Sequence, residues 1–195
     1  MKITTVRHGQ TDWNLINRMQ GSTDIELNKT GIEQAQNLAE KLKNQPVDII
    51  FASSLNRAAK TAEIINQYHN KEIILTDNFK EINFGIFEGQ LYDEIMEELE
   101  VFRRNGLQVP EGESEEDFFN RVYEKMDEII KSKHKNILVV CHFNTIRSII
   151  CYFLNLSPNR RFDYPVGNTA IHTFELHGDK FSMTVENDTS HLVDF

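Results

Sequence analysis

Asn136-Ile137-Leu138-Val139-Val140-Cys141 reads as a short, continuously apolar strand. Such a run is what a central strand covered on both faces requires, because neither side of it meets water. Its surroundings supply the rest of the architecture. Residues 146–154 continue downstream as a buried helix. Upstream, Lys2–Arg7, residues 48–53 and Ile73–Thr76 read as further strands. Between them, Leu27, Ile32, Ala35, Leu38, Ala39 and Leu42 recur at helical spacing over residues 28–43, and a second helix is predicted over 55–68. Thr30 with Glu33 offers a capping box, which predicts a helix start near Thr30. Two more helices, 90–104 and 114–132, flank a turn-rich stretch at 105–113. Residues 171–176 and 181–186 flank His177-Gly178-Asp179 as a hairpin. Strands alternating with helices predict an α/β fold, a three-layer α/β/α sandwich on a mainly parallel sheet.

At 195 residues the chain has the size of one domain, read as 1–195 with a helical, cap-like segment at about 88–128. Hydrophobic residues at 39% and charged residues at 26% exclude wholesale disorder. No apolar run approaches the ~20 residues that span a bilayer, and the first residues carry no signal-peptide pattern. The two cysteines, Cys141 and Cys151, sit in apolar context, as thiols in a reducing, cytoplasmic compartment do. The net charge of −9 is uneven: residues 88–128 carry 14 acids and 4 bases, leaving the remainder near neutral. That field argues against nucleic acid or an anionic membrane as partner. The acidic block itself also fits a plain solvated helical surface. A homodimer is left open.

Ligands of open α/β sheets bind beyond the carboxyl ends of the strands. Here the first strand runs into Arg7-His8-Gly9, the second into Ser53-Ser54 with Arg57 one turn on, and the strong strand into His142 with Arg147 beyond. Arginine offers a permanently charged fork that matches phosphate oxygens. Histidine serves as nucleophile or proton donor near neutral pH. A lone Arg-His at a strand end is an ordinary surface pair, and His69, His134, His172, His177 and His191 are read that way. Three coincident strand ends point instead to a phosphate site with a histidine nucleophile. Gly9 is read as the residue that lets the backbone turn tightly and approach the anion.

These residues resemble the histidine phosphatase superfamily, the phosphoglycerate mutase-like enzymes. Arg7-His8-Gly9-Gln10-Thr11 with Asn14 is similar to its signature, and Gln20-Gly21, Asp24, Leu27 and Thr30-Gly31 to the next block. Ser53-Ser54-Leu55-Asn56-Arg57-Ala58 with Thr61-Ala62 resembles a third, and Glu81, Phe84-Gly85 and Glu88-Gly89 a fourth. Pro110 to Ser114, His142 with Arg147, and Asn168 with Ile171 complete the series, which spans nearly the whole chain. Two positions depart from the family: Phe143 stands where a glycine usually follows the second histidine, and Glu26 where proline is common.

The resemblance implies that His8 attacks phosphorus and carries it as phosphohistidine. It implies that Arg7, Arg57 and His142 surround the transferring group, that Glu81 is the general acid, and that Asn14 donates to a phosphate oxygen. Phe143 and Asn144 are expected to touch substrate. No metal and no cofactor are expected, since positioning and fixed charge suffice for phosphoryl transfer. Trp13, Phe84, Phe87, Phe102 and Phe143 are candidates for pocket walls or for core. Arg103-Arg104 fits either a substrate carboxylate, as in mutase members, or a favourable helix C-terminus. The expected function is a phosphatase of small phosphorylated metabolites. The alternatives are a cofactor-dependent phosphoglycerate mutase, whose family examples are typically longer, and a non-catalytic phospho-ligand binding module on the same fold.

Overall fold

The computed structural model describes residues 1–192. Six strands, β1 (Lys2–Arg7), β2 (Ile49–Ser53), β3 (Ile73–Thr76), β4 (Asn136–Cys141), β5 (Ile171–His177) and β6 (Lys180–Asp188), form one sheet in the order β3-β2-β4-β1-β5-β6. β1 to β4 are mutually parallel, β5 runs antiparallel to β1, and β6 antiparallel to β5. β4 lies between β1 and β2, so its apolar run is covered on both faces. Ile137, Val139 and Cys141 enter one core, while Leu138 and Val140 enter the other.

The helices are α1 (Asp12–Leu15), α2 (Lys29–Leu42), α3 (Asn56–Asn66), α4 (Tyr92–Arg104), α5 (Glu115–Ile130) and α6 (Phe143–Leu154). α2 and α3 pack Leu38, Ala39, Ala58, Ala62 and Ile65 with Leu138 and Val140. α5 and α6 pack Phe118, Val122, Met126, Ile129, Ile146 and Ile149 with Val139 and Phe51 on the opposite side. Each of the Val, Leu, Ile, Phe and Met side chains among them contributes roughly 1.5–3 kcal/mol on full burial. The result is the expected three-layer sandwich. The acidic segment divides: α5 covers the sheet, and α4 buries only Ile95 and Leu99.

Two helix starts differ from expectation. α2 begins at Lys29, capped by Asn28, whose side chain accepts from Gly31 N at 2.8 Å. Asn28 is held there by hydrogen bonds from its amide and side chain to Gln10, so Thr30 lies inside the first turn. The capping box forms instead at Thr11 and Asn14, around α1. α6 begins at Phe143 rather than at residue 146, because His142 is already its N-cap. Apolar periodicity starts only at Ile146, which hid that first turn.

Candidate active site

Parallel pairing of three adjacent central strands brings their carboxyl ends side by side. His8 N donates to Cys141 O at 3.0 Å, placing His8 next to His142, with ring centroids 5.1 Å apart. A cavity of about 600 Å³ opens over these ends, lined by Arg7, His8, Asn14, Arg57, Glu81, Phe143 and Asn144 among others. His142 is fully buried behind them. The volume suits a small metabolite, with room beyond a phosphoryl group.

The hydrogen bonds fix both imidazoles. His8 Nδ1 lies 2.7 Å from Gly9 O, and a carbonyl only accepts, so Nδ1 carries the proton and Nε2 keeps its lone pair. Burial, then the Arg57 and Arg7 charges, hold the His8 pKa well below its ordinary value, so the ring is neutral. His142 Nδ1 accepts from Arg57 Nε at 3.2 Å, which puts the His142 proton on Nε2, donated to Ser53 Oγ at 2.8 Å. Burial followed by the Arg57 charge lowers the His142 pKa as well.

Arg57 is buried, and its other donors reach Thr23 O and Gly21 O, both at 2.7 Å. The loop that supplies these carbonyls hangs on Glu88, whose carboxylate accepts from the amides of Ser22 (2.7 Å), Thr23 (2.9 Å) and Phe84 (2.9 Å). Gly21 has φ +51°, and a Cβ there would lie 2.0 Å from Glu88 Oε1, so only glycine fits. Arg7 donates to Val166 O at 2.8 Å, and its Nε is buried with no partner among the described residues. Burial brings both guanidinium groups down to about 10, still charged at neutral pH.

Glu81 accepts from Ile82 N at 3.0 Å and from Asn144 N at 2.9 Å. Burial raises its pKa against the pull of those amides and the arginines. The segment bearing Glu81 is clamped by Arg121, which forks onto Glu113 at 2.6 and 2.8 Å and donates to the carbonyls of Asn78 and Lys80. Asn14 Oδ1 accepts from Thr11 and from Asn168 Nδ2, which leaves Asn14 Nδ2 as the free donor at the cavity.

Several expectations change. Gly9 does not meet an anion: its amide donates to Thr61 Oγ1 at 3.2 Å, and a Cβ there would stand 2.3 Å from Gly31 O. Its smallness serves the contact with α2. Of the aromatic candidates, Phe84 and Phe143 line the cavity, whereas Phe87 and Phe102 belong to the core, edge to face at 5.9 Å. Trp13 instead lies beneath the Arg18 guanidinium. The Arg103-Arg104 pair splits: Arg103 lines the cavity and Arg104 pairs with Glu100 on the surface. Gln20, Tyr92, Arg147 and Phe162 also line the cavity and were not assigned to substrate from sequence. Arg147 was visible one turn and a half after His142, but its direction was not.

The histidine phosphatase superfamily (branch 1) profile matches residues 3–189. A phosphoglycerate mutase-like protein 4 of Arabidopsis thaliana is 36% identical, over 98% of this chain and 86% of its own. Phosphoserine phosphatase 1 of Hydrogenobacter thermophilus is 31% identical over 100% of this chain and 96% of its own. The crystal structure of a phosphoserine phosphatase from Entamoeba histolytica, in complex with 3-phosphoglyceric acid, superposes with a TM-score of 0.87. It is 32% identical, covering 98% of this chain and 99% of that one. Among the described residues no helix is long and apolar enough to cross a membrane.

Proposed function

This chain belongs to the histidine phosphatase superfamily, and on that premise we propose that it hydrolyses small phosphomonoesters through a phosphohistidine on His8. The observation that carries the reading is the tautomer: Nδ1–H is committed to Gly9 O, so neutral His8 offers the Nε2 lone pair at the cavity. In the first step a bond forms between His8 Nε2 and phosphorus as the ester P–O bond breaks. Glu81, whose burial favours the protonated acid, gives its proton to the leaving oxygen. Arg7, Arg57, Asn14 Nδ2 and Gln20 hold the phosphoryl oxygens, where fixed charge in a buried site acts most strongly. In the second step Glu81 takes a proton from water as its oxygen attacks phosphorus and the N–P bond breaks. His142, its Nε2–H donated to Ser53 and its Nδ1 accepting from Arg57, keeps Arg57 oriented.

The segment containing α4 acts as the cap, since Tyr92 and Arg103 border the cavity. The free, buried Cys141 and Cys151 fit a reducing cytoplasm. Quenched turnover of p-nitrophenyl phosphate tests the mechanism. An acid-labile, base-stable phosphate is expected on the peptide containing residues 6–10. Label on residues 141–145, or an active His8→Ala protein, overturns it. Adding 3-phosphoglycerate with 2,3-bisphosphoglycerate separates a mutase, which would interconvert phosphoglycerates, from the hydrolase proposed.

A further inference from the structure

Three successive carbonyls lead into β5, and each accepts from a different side chain. Tyr164 O accepts from Arg147 Nε at 2.8 Å, Pro165 O from His172 Nε2 at 3.2 Å, and Val166 O from Arg7 at 2.8 Å. The two arginines line the cavity, whereas His172 is fully buried and does not. This strap belongs to no strand: pairing of β5 with β1 begins only at Ile171, and Pro165 has no amide hydrogen to offer. It is held by the burial of Val166, by the Tyr164 amide on Arg161 O, by Asn187 Oδ1 on the Gly167 amide at 2.8 Å, and by those three side chains.

Arg7 depends on its strap more than Arg57 depends on its loop. Arg57 has acceptors for three nitrogens, His142 Nδ1, Thr23 O and Gly21 O. Arg7 has Val166 O as its one acceptor among the described residues, with Nε buried and unpartnered. A shift of the 165–166 peptide therefore moves Arg7 directly.

His172 is a costly residue at its position. It stands opposite Thr5 in the β1–β5 ladder, on the sheet face that also carries Arg7, two residues further along β1. A carbonyl only accepts, so its proton sits on Nε2, and Nδ1 is buried with no partner among the described residues. An apolar side chain would avoid that desolvation. What the imidazole adds is the hydrogen bond to Pro165 O.

We propose that His172 is a positioning residue for phosphate binding: by holding Pro165 O it fixes the peptide whose next carbonyl orients Arg7. This rests on the phosphatase reading above.

Two amides test it, because Gln Nε2 reaches about as far from the backbone as His Nε2, and Asn Nδ2 only about as far as His Nδ1. With p-nitrophenyl phosphate near neutral pH, His172→Asn is expected to lower kcat/KM about tenfold or more, and His172→Gln to keep it within about threefold of wild type. Equal values for the two variants refute the role of the Pro165 hydrogen bond. Double variants separate positioning from general support. In Arg7→Lys protein the cost of His172→Asn should shrink to about twofold or less, and in Arg57→Lys protein it should stay near tenfold. The same cost in both backgrounds shows a merely structural role and overturns the proposal. If His172→Asn does not fold, His172→Leu, which removes the donor and the stranded Nδ1 together, takes its place with the same expectations. Calorimetry with inorganic phosphate on His8→Ala protein reads the contacts without turnover. Binding about tenfold weaker with His172→Asn than with His172→Gln supports the proposal even if the wild type hydrolyses nothing, and equal binding refutes it.

Discussion

Glu88 never approaches the phosphoryl group in the mechanism above, yet its removal should disable the site. Its carboxylate accepts three backbone amides, those of Ser22, Thr23 and Phe84, and also the hydroxyls of Ser22 and Thr23. Glu88→Ala strands those amides in a partly buried loop. At about 1 kcal/mol each, the loss of stability is about 3 kcal/mol. A domain of this size holds roughly 5–15 kcal/mol, so the protein still folds. The same loop presents Gly21 O and Thr23 O to Arg57. If those carbonyls shift by about 1 Å, Arg57 follows, and kcat/KM should fall on the order of 100-fold. Urea unfolding at pH 7 gives the first quantity, and p-nitrophenyl phosphate turnover far below the unfolding midpoint gives the second. Glu88→Gln, which keeps one acceptor oxygen, should fall between. A stability loss under about 0.5 kcal/mol would show that the amides find water. The expected destabilisation with activity within about threefold of wild type would show that Arg57 does not depend on this loop.

Glu81→Gln should slow esters with poor leaving groups far more than p-nitrophenyl phosphate; an equal loss on both would assign Glu81 to binding. Turnover should survive dialysis against EDTA, because Arg7 and Arg57 supply the positive charge; a loss restored only by Mg²⁺ would refute that. Burial lowers His172 to about 4, with Nε2 donating to Pro165 O and Nδ1 unpartnered. Its folded pKa lies below the unfolded value near 6.5, so its contribution is complete above that value and is lost as pH falls towards 4. Between pH 7 and pH 5 the protein should lose about 2 kcal/mol through this residue, and His172→Gln should flatten that part of the stability profile; an unchanged profile would refute it.

The order and type of elements were legible in the sequence because each depends on local pattern: the doubly apolar run of β4, the helical spacing of α2, the turn residues between β5 and β6. So were His8, Arg7, Arg57 and His142, because strand ends in a parallel sheet converge whatever the details of packing. Glu81 and Asn14 were legible by family resemblance alone, since one lies after an edge strand and the other inside a one-turn helix. Tertiary structure decided the rest. Which nitrogen of His8 is free depends on a carbonyl of the next residue, and Gly9 is small because of α2, more than twenty residues away. Arg103 and Arg104 are adjacent in sequence but one faces the cavity and the other the solvent, as successive residues 100° apart on a helix do. Glu88 and Arg121 hold loops remote from them in the chain, and the contact of Arg147 with Phe143 needs α6 to begin at its first possible residue. Periodicity tells which residues are buried, but the partner that a charged side chain finds is set by the assembled fold.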